Sequence, residues 1–212
     1  MFAWNDTYWE EASVASDAAL AEVTRGIAVG TKVATPNGWK KIEDIVEGDK
    51  VLTFDDGLQT VQKVQRHTLW ETPRGAPIAQ WPLHVPQGAL GNNEAMFLLP
   101  GQSVMVESDT ADEVLGDPFV LIPSRVLEGY RGISPVVPQH RLEVVELFFE
   151  HEQIIFANAG TLFRCTAAID FGNGLFASAS EERYKELNAA QADMLVGLLE
   201  IEDRVRRDRA KA

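Results

Sequence analysis

Between residues 26 and 168, apolar positions fall in short β-branched runs, each closed by turn-forming residues. Thr31–Thr35 runs into Pro36-Asn37-Gly38, and Lys50–Phe54 runs into Asp55-Asp56-Gly57. Asn-Gly and Asp-Gly supply the positive φ angles of tight hairpins, so two strand–turn–strand units are predicted there. Further strands are expected over Leu58–Gln65, Pro77–Val85, Ala95–Leu99, Ser103–Glu107, Phe119–Ile122, Arg141–Phe149 and Gln153–Ala157. Pro73–Gly75 and Gln87–Asn93 read as surface loops. Many short strands punctuated by Gly and Pro predict a mainly β body.

Both ends of the chain follow a different period. Ala12, Ala15, Ala19 and Val23 recur at helical spacing, which predicts a short helix over Glu10–Thr24. Ser178 followed three residues later by Glu181 is a capping-box pattern, in which each side chain satisfies the other's free backbone donor. Beyond it Tyr184, Leu187, Gln191, Met194, Leu198, Ile201 and Val205 alternate at intervals of three and four. A long helix over Ser178–Arg209 is therefore predicted, with the Tyr184/Leu187/Met194/Leu198/Ile201/Val205 face buried against the β body, the N-terminal helix or a second copy. The organisation expected is a helical segment over 1–25, a β domain over 26–168 and a C-terminal helix over 178–209. Trp4 and Trp9 stand outside the β body, where aromatic side chains mark docking surfaces. Trp4, Trp9, Leu187, Met194, Leu198 and Ile201 are the candidate interaction residues, for a protein partner or for self-association.

Composition narrows the chemistry. The 212 residues are 45% hydrophobic and 24% charged, enough apolar material for a true core. A formal charge of −13 repels phosphate backbones, so no nucleic acid partner is expected. The single cysteine, Cys165, excludes an internal disulfide framework and a multi-cysteine zinc site. His67, His84, His140 and His151 show no i,i+4 or His-x-His spacing, and neither metal nor cofactor is expected. Acidic residues near the start replace the basic and apolar regions of a secretory signal, and no apolar run is long enough for a membrane span. A cytoplasmic protein is expected, with export by a route that needs no signal left open.

Four ordered pieces resemble the opening of the Hedgehog/intein (Hint) module, and more narrowly its bacterial group. They are Gly30-Thr31-Lys32-Val33-Ala34-Thr35, Ile42-Glu43-Asp44-Ile45, Gly48-Asp49-Lys50-Val51-Leu52-Thr53 and Asp56-Gly57-Leu58-Gln59. Weaker matches continue through Gln87–Asn92, Leu121-Ile122-Pro123 and Ile154–Asn158. The resemblance implies a horseshoe-like β fold and a self-cleaving chemistry. A Cys or Ser at the module's first position attacks the preceding carbonyl, and a histidine of a second block protonates the departing nitrogen. At those positions the sequence departs from the pattern. The nucleophile slot falls on Gly26, and the second block falls on Leu99–Ser103 with Gln102 in the histidine slot. Glu146 stands where a further histidine is expected before Leu147-Phe148-Phe149. Glycine has nothing to attack with, and an amide cannot shuttle a proton. The resemblance thus implies an inert scaffold serving in interaction or assembly, with residual self-processing as the alternative.

Two residues are candidates for surrogate chemistry. Thr24 lies two positions before the slot, displaced by roughly 6–7 Å along an extended strand. Cys165 follows the last matched block and reads as a strand residue. Asp49, Asp55 and Asp56 neighbour Gly48 and Gly57 and read as turn residues rather than a cation site.

Overall fold

A computed structural model describes residues 25–69, 76–168 and 183–211. The predicted helix Glu10–Thr24, Trp4, Trp9, Thr24, the Pro73–Gly75 loop and the Ser178/Glu181 pair lie outside the described residues. Within them the chain forms β1 (Ile27–Ala28), β2 (Lys32–Thr35), β3 (Gly38–Lys41), β4 (Lys50–Thr53), β5 (Gly57–Thr60), β6 (Lys63–Leu69) and β7 (Leu83–Val85). There follow β8 (Met96–Leu98), β9 (Ser103–Glu107), helix α1 (Asp109–Leu115), β10 (Phe119–Pro123), β11 (Ser134–Pro135), β12 (Leu142–Phe148), β13 (Gln153–Ala157), β14 (Thr161–Cys165) and helix α2 (Ala189–Lys211).

The largest sheet runs β10-β9-β14-β13-β2-β3, with β4 also on β13 and β5 on β4. Two three-stranded sheets, β1-β12-β6 and β11-β7-β8, complete a mainly β body whose strands pair antiparallel. Both predicted hairpins form as the turn chemistry demands. Thr35 Oγ1 donates to the Gly38 carbonyl at 2.7 Å in the first, and Thr53 Oγ1 donates to the Gly57 carbonyl at 2.9 Å in the second. The strand expected over Leu58–Gln65 is divided. Val61 is buried and its N–H reaches the Asp49 carbonyl at 2.9 Å, while the Gln62 N–H reaches Phe148 at 2.8 Å, so the chain changes sheets between them.

The segment Gln87–Asn93 is a turn at the surface, as expected, anchored by buried Ala89 and Asn92. The Asn92 side chain, 2% exposed as a residue, accepts from the Leu90 N–H at 3.0 Å and donates to the Pro86 and Glu94 carbonyls at 2.9 and 2.7 Å. Buried amides fully bonded in this way fix a turn as firmly as a strand ladder does. The turn presses on the β13–β14 connection so closely that a Cβ at Gly160 would stand 2.5 Å from the Gly91 carbonyl oxygen.

The C-terminal helix starts at Ala189, not at Ser178 as the periodicity predicts. Asn188 supplies its cap. Asn188 Oδ1 accepts from the Gln191 N–H at 2.9 Å, and Gln191 Oε1 accepts from the Asn188 N–H at 3.3 Å, a reciprocal box three residues apart. Tyr184 and Leu187 therefore lie in an extended segment before the helix, where the Leu187 N–H reaches the Leu121 carbonyl at 2.8 Å. The buried face of α2 is also not the predicted one. Ala192, Leu195, Val196 and Leu199 enter the core beside Leu127 and Tyr130, whereas Met194, Ile201 and Val205 are exposed and Leu198 is half-buried. Among the described residues no helix is long and apolar enough to cross a membrane.

Candidate functional site

Strand β1 places Gly26. Its pairing with β12 sets Ile27 opposite Val145 and Ala28 opposite Val144, which brings Gly26 alongside Glu146. Gly26 has φ +106°, and a Cβ built there would meet the Glu146 Cγ and the Val144 Cβ, each at 3.3 Å. Val144 packs with Leu69 and Leu99, so the turn that leads into Gln102 lies against the same strand. The sequence blocks that the resemblance aligns are thus brought together by β1–β12 pairing and one small apolar cluster.

Gln102 is 6% exposed, and its side-chain amide is committed to backbone. Its Nε2 donates to the Ser103 and Arg164 carbonyls, each at 3.0 Å. The Arg164 carbonyl adjoins Cys165, the end of β14, where the thiol is buried. Burial foremost, and the nearby Glu146 charge second, push the Cys165 thiol far above its ordinary value. A thiol so held is protonated at neutral pH and is a poor nucleophile. Glu146 faces His67 across β6–β12, with Oε1 3.6 Å from Nδ1. His67 is a titratable neighbour of the slot that the block pattern does not signal. The antiparallel register that sets it opposite Val144 depends on pairing with a strand far away in sequence.

Gly26, Gln102, Glu146 and Cys165 therefore meet around one locus, and none of them presents an activated nucleophile. A carboxylate beside the slot also opposes acyl transfer on its own account, because an oxyanion developing there needs donors and would meet negative charge. Among the described residues no three His, Cys, Asp or Glu side chains are grouped to hold a metal ion.

The predicted turn aspartates divide. Asp49 closes its own turn, accepting from the Val46 N–H at 3.0 Å and from Lys40 Nζ at 2.7 Å, and the lysine beside it holds its carboxyl below the usual value. Asp55 and Asp56 have a further role. Asp56 pairs with Arg183 and accepts from Gln153 Nε2 at 2.9 Å, and Asp55 accepts from the Tyr184 hydroxyl. Glu152, buried at 7%, takes the backbone N–H groups of Arg183 and Tyr184 at 2.8 and 3.2 Å and also pairs with Arg164. Glu186 reaches back to Ser103 and Arg164. Residues 183–188 are thus strapped over the sheet, with Tyr184 on the apolar patch of Met105, Leu121, Ile154 and Leu162.

A cleft of about 380 Å³ lies between the Ala89–Gly91 turn, β9 and α2, and shares no residue with the slot. Both of its arginines are paired with carboxylates of α2. Arg131 grips Asp203 with two nitrogens and also donates to the Ala89 carbonyl at 3.2 Å, and Glu202 accepts from Thr110 at 2.8 Å while pairing with Arg206.

Compared with known families, residues 26–162 match the model described as the Hint domain. The chain belongs to the Hint domain family. Among solved structures it is similar to a bacterial intein-like domain from Clostridium thermocellum, at 15% identity and a TM-score of 0.43, over 66% of this chain and 98% of that one. It is similar to the MchDnaB-1 intein at 13% identity and a TM-score of 0.38, over 64% and 98%. With the gp41-1 intein it shares 16% identity at a TM-score of 0.34, over 67% and 100%. No curated protein matches the chain.

Proposed function

We propose that this protein is a catalytically inert Hint domain that works as an interaction or assembly module, its terminal segments making the contacts. The observation that carries the reading is the slot at Gly26. The position has no side chain, its φ of +106° disfavours any other residue, and a Cβ added there would stand 3.3 Å from both Glu146 Cγ and Val144 Cβ. Two further features support it. The Gln102 amide is spent on two carbonyls, and the Cys165 thiol is buried and protonated. Beyond the family match, Arg183 pairs with Asp56 and Glu186 with Arg164, which ties residues 183–186 to the body.

Intact mass followed over time in neutral buffer, with and without added thiol, tests the reading. An unchanged mass is expected, for the natural chain and for Thr24→Ala and Cys165→Ala alike. Spontaneous cleavage near residues 24–26 overturns it, and whichever substitution abolishes that cleavage identifies the nucleophile. Gly26→Cys is expected to remain uncleaved, since the restored thiol would meet a crowded approach and no proton donor at Gln102.

A further inference from the structure

Residues 183–187 lie on the body as a strand added to a sheet edge does. Tyr184 and Glu186 turn toward the sheet, while Arg183 and Lys185 alternate with them and are exposed. The main chain is held at both ends: Glu152 accepts from the Arg183 and Tyr184 N–H groups, and the Leu121 carbonyl on β10 accepts from the Leu187 N–H. Main-chain bonds with separate seats for alternate side chains are the mode by which sheet edges bind extended peptides. The seats differ in chemistry. Asp56 takes the Arg183 guanidinium, and Asp55 takes the Tyr184 hydroxyl, whose ring lies on the apolar patch around Leu121 and Ile154. Ser103 and Arg164 hold the Glu186 carboxylate. Apart from Arg164, these seats belong to the stretch that matches the Hint family, and residues 183–187 lie beyond it. The strap also leaves polar capacity unused. Gln153, 2% exposed, gives its Nε2 to Asp56, and its Oε1 accepts no hydrogen bond among the described residues.

We infer that this groove is a peptide-binding site in an autoinhibited state, with residues 183–187 as its ligand in cis. Its partner is a protein that presents an extended segment of the same chemistry: a cation, a tyrosine, any residue, an acid and a leucine. The inference rests on the interaction reading above and gives the partner its chemistry. Selectivity follows from charge. Asp55 and Asp56 repel an acid at the first two positions, and Arg164 repels a cation at the fourth. The strap is joined to the body on one side through residues 169–182 and on the other through docked α2. A ligand joined in this way acts at an effective concentration on the order of 1 mM. A free peptide making the same contacts therefore competes with it only near that concentration, and loosening the strap uncovers the stronger intrinsic affinity.

The probe is a dye-labelled, end-capped peptide of residues 183–188, followed by fluorescence anisotropy against the full chain. The full chain carrying Arg183→Ala and Tyr184→Ala is expected to bind it at least ~10-fold more tightly than the natural chain does. The Tyr184→Ala peptide is expected to bind that loosened chain at least ~10-fold more weakly, since the ring's contact with the patch and the hydroxyl's with Asp55 go together. Asp56→Arg in the loosened chain weakens binding, and the Arg183→Asp peptide recovers it, a rescue that a non-specific apolar contact would not show. A second measurement uses the natural chain and depends on no variant folding. Unlabelled peptide at about 10 mM, above the effective concentration of the strap, is expected to raise amide exchange at residues 184–187 and to leave β13 unchanged. No binding to the loosened chain up to about 1 mM overturns the inference, as does equal affinity for the two chains. Exchange at residues 184–187 that ignores the peptide overturns it too, and decides the matter alone if the loosened chain loses protection at β13. Cleavage in the mass experiment sinks the inert reading alone, and failure of the peptide to bind sinks this inference alone.

Discussion

Around Gly26, the Gln102 amide is spent on backbone, donating to the Ser103 and Arg164 carbonyls, and the Cys165 thiol is enclosed. Along residues 183–211, it is charged side chains that pair, side chain to side chain, with other elements. Arg183 goes to Asp56, Glu186 to Arg164 and Asp203 to Arg131, across separations of 127, 22 and 72 residues. The first region is arranged as structure, with its amide used as an internal brace. The second is held down by paired charges and apolar contacts, yet it leaves one helix face uncovered. The contrast teaches that ion pairs and one apolar face are enough to order the C-terminal helix on the body while Met194, Ile201 and Val205 stay exposed.

The contrast between the two faces of α2 gives the largest expected effect. Leu195 is fully buried, and Leu195→Ala is expected to destabilise the protein by about 3 kcal/mol through lost burial and the cavity left behind. Met194, one position earlier, is exposed, and Met194→Ala is expected to stay within about 0.5 kcal/mol in dilute solution. Urea denaturation of both variants checks this. Equal effects would erase the distinction between the faces.

Next in size is the slot itself. Gly26→Ala adds a Cβ at φ +106° against Glu146 and Val144, and is expected to cost about 2 kcal/mol. A neutral Gly26→Ala, measured in the same titrations, would mean that the slot is open and that its emptiness is not structural.

These positions also mark how far the sequence carries the fold. The hairpins at Asn37-Gly38 and Asp56-Gly57 are legible because turn geometry is local and only a few residue types satisfy it. The Hint resemblance leads to Gly26, Gln102 and Glu146, since ordered blocks keep their spacing. Two features of α2 are not legible. The Ser178 pattern points to an early start, although Asn188 and Gln191 form an equivalent box ten residues later and the intervening Tyr184 and Leu187 are held extended by the sheet. The buried face is ambiguous because α2 carries two apolar stripes, 192/195/196/199 and 194/198/201/205, and periodicity alone cannot say which one meets the body. His67 beside Glu146 is likewise a product of strand register, which no local pattern encodes.

A smaller effect sharpens the picture of the strap. Arg183 pairs with Asp56 at a partly exposed site and stacks near the Tyr184 ring, 5.5 Å from its centroid. Arg183→Ala is expected to cost no more than about 1 kcal/mol, as exposed pairs do, while raising amide exchange at residues 184–187 more than at β13. Uniform exchange across both would show that the strap is not a separable unit.

The smallest effect concerns acid and residues 183–211. Asp203 is held below the ordinary carboxylate value, first by its hydrogen bonds to Arg131, with burial opposing. Asp56 is lowered in the same way by Arg183 and then Gln153. A depressed carboxyl binds its proton more readily in the unfolded chain than in the folded one. Its contribution is therefore full above the unfolded value of about 3.9 and is lost as pH falls through the lower folded value. For Asp203 the contribution is on the order of 1 kcal/mol or less, since the pair lies at the protein's edge. The pair also secures Arg131, whose φ of +46° is a costly conformation for a residue with a Cβ, so its loss should release the turn at Tyr130–Gly132 as well as the helix. Denaturation of the natural chain and of Asp203→Asn is expected to show a constant difference from neutral pH down to about pH 5, which narrows as pH falls through the depressed value of the folded carboxyl. Near the slot, Gly26 and Gln102 do not titrate and the Cys165 thiol is displaced upward, away from acid. A stability difference that persists unchanged at pH 2 would mean that the Asp203→Asn substitution disturbs α2 by some route other than charge.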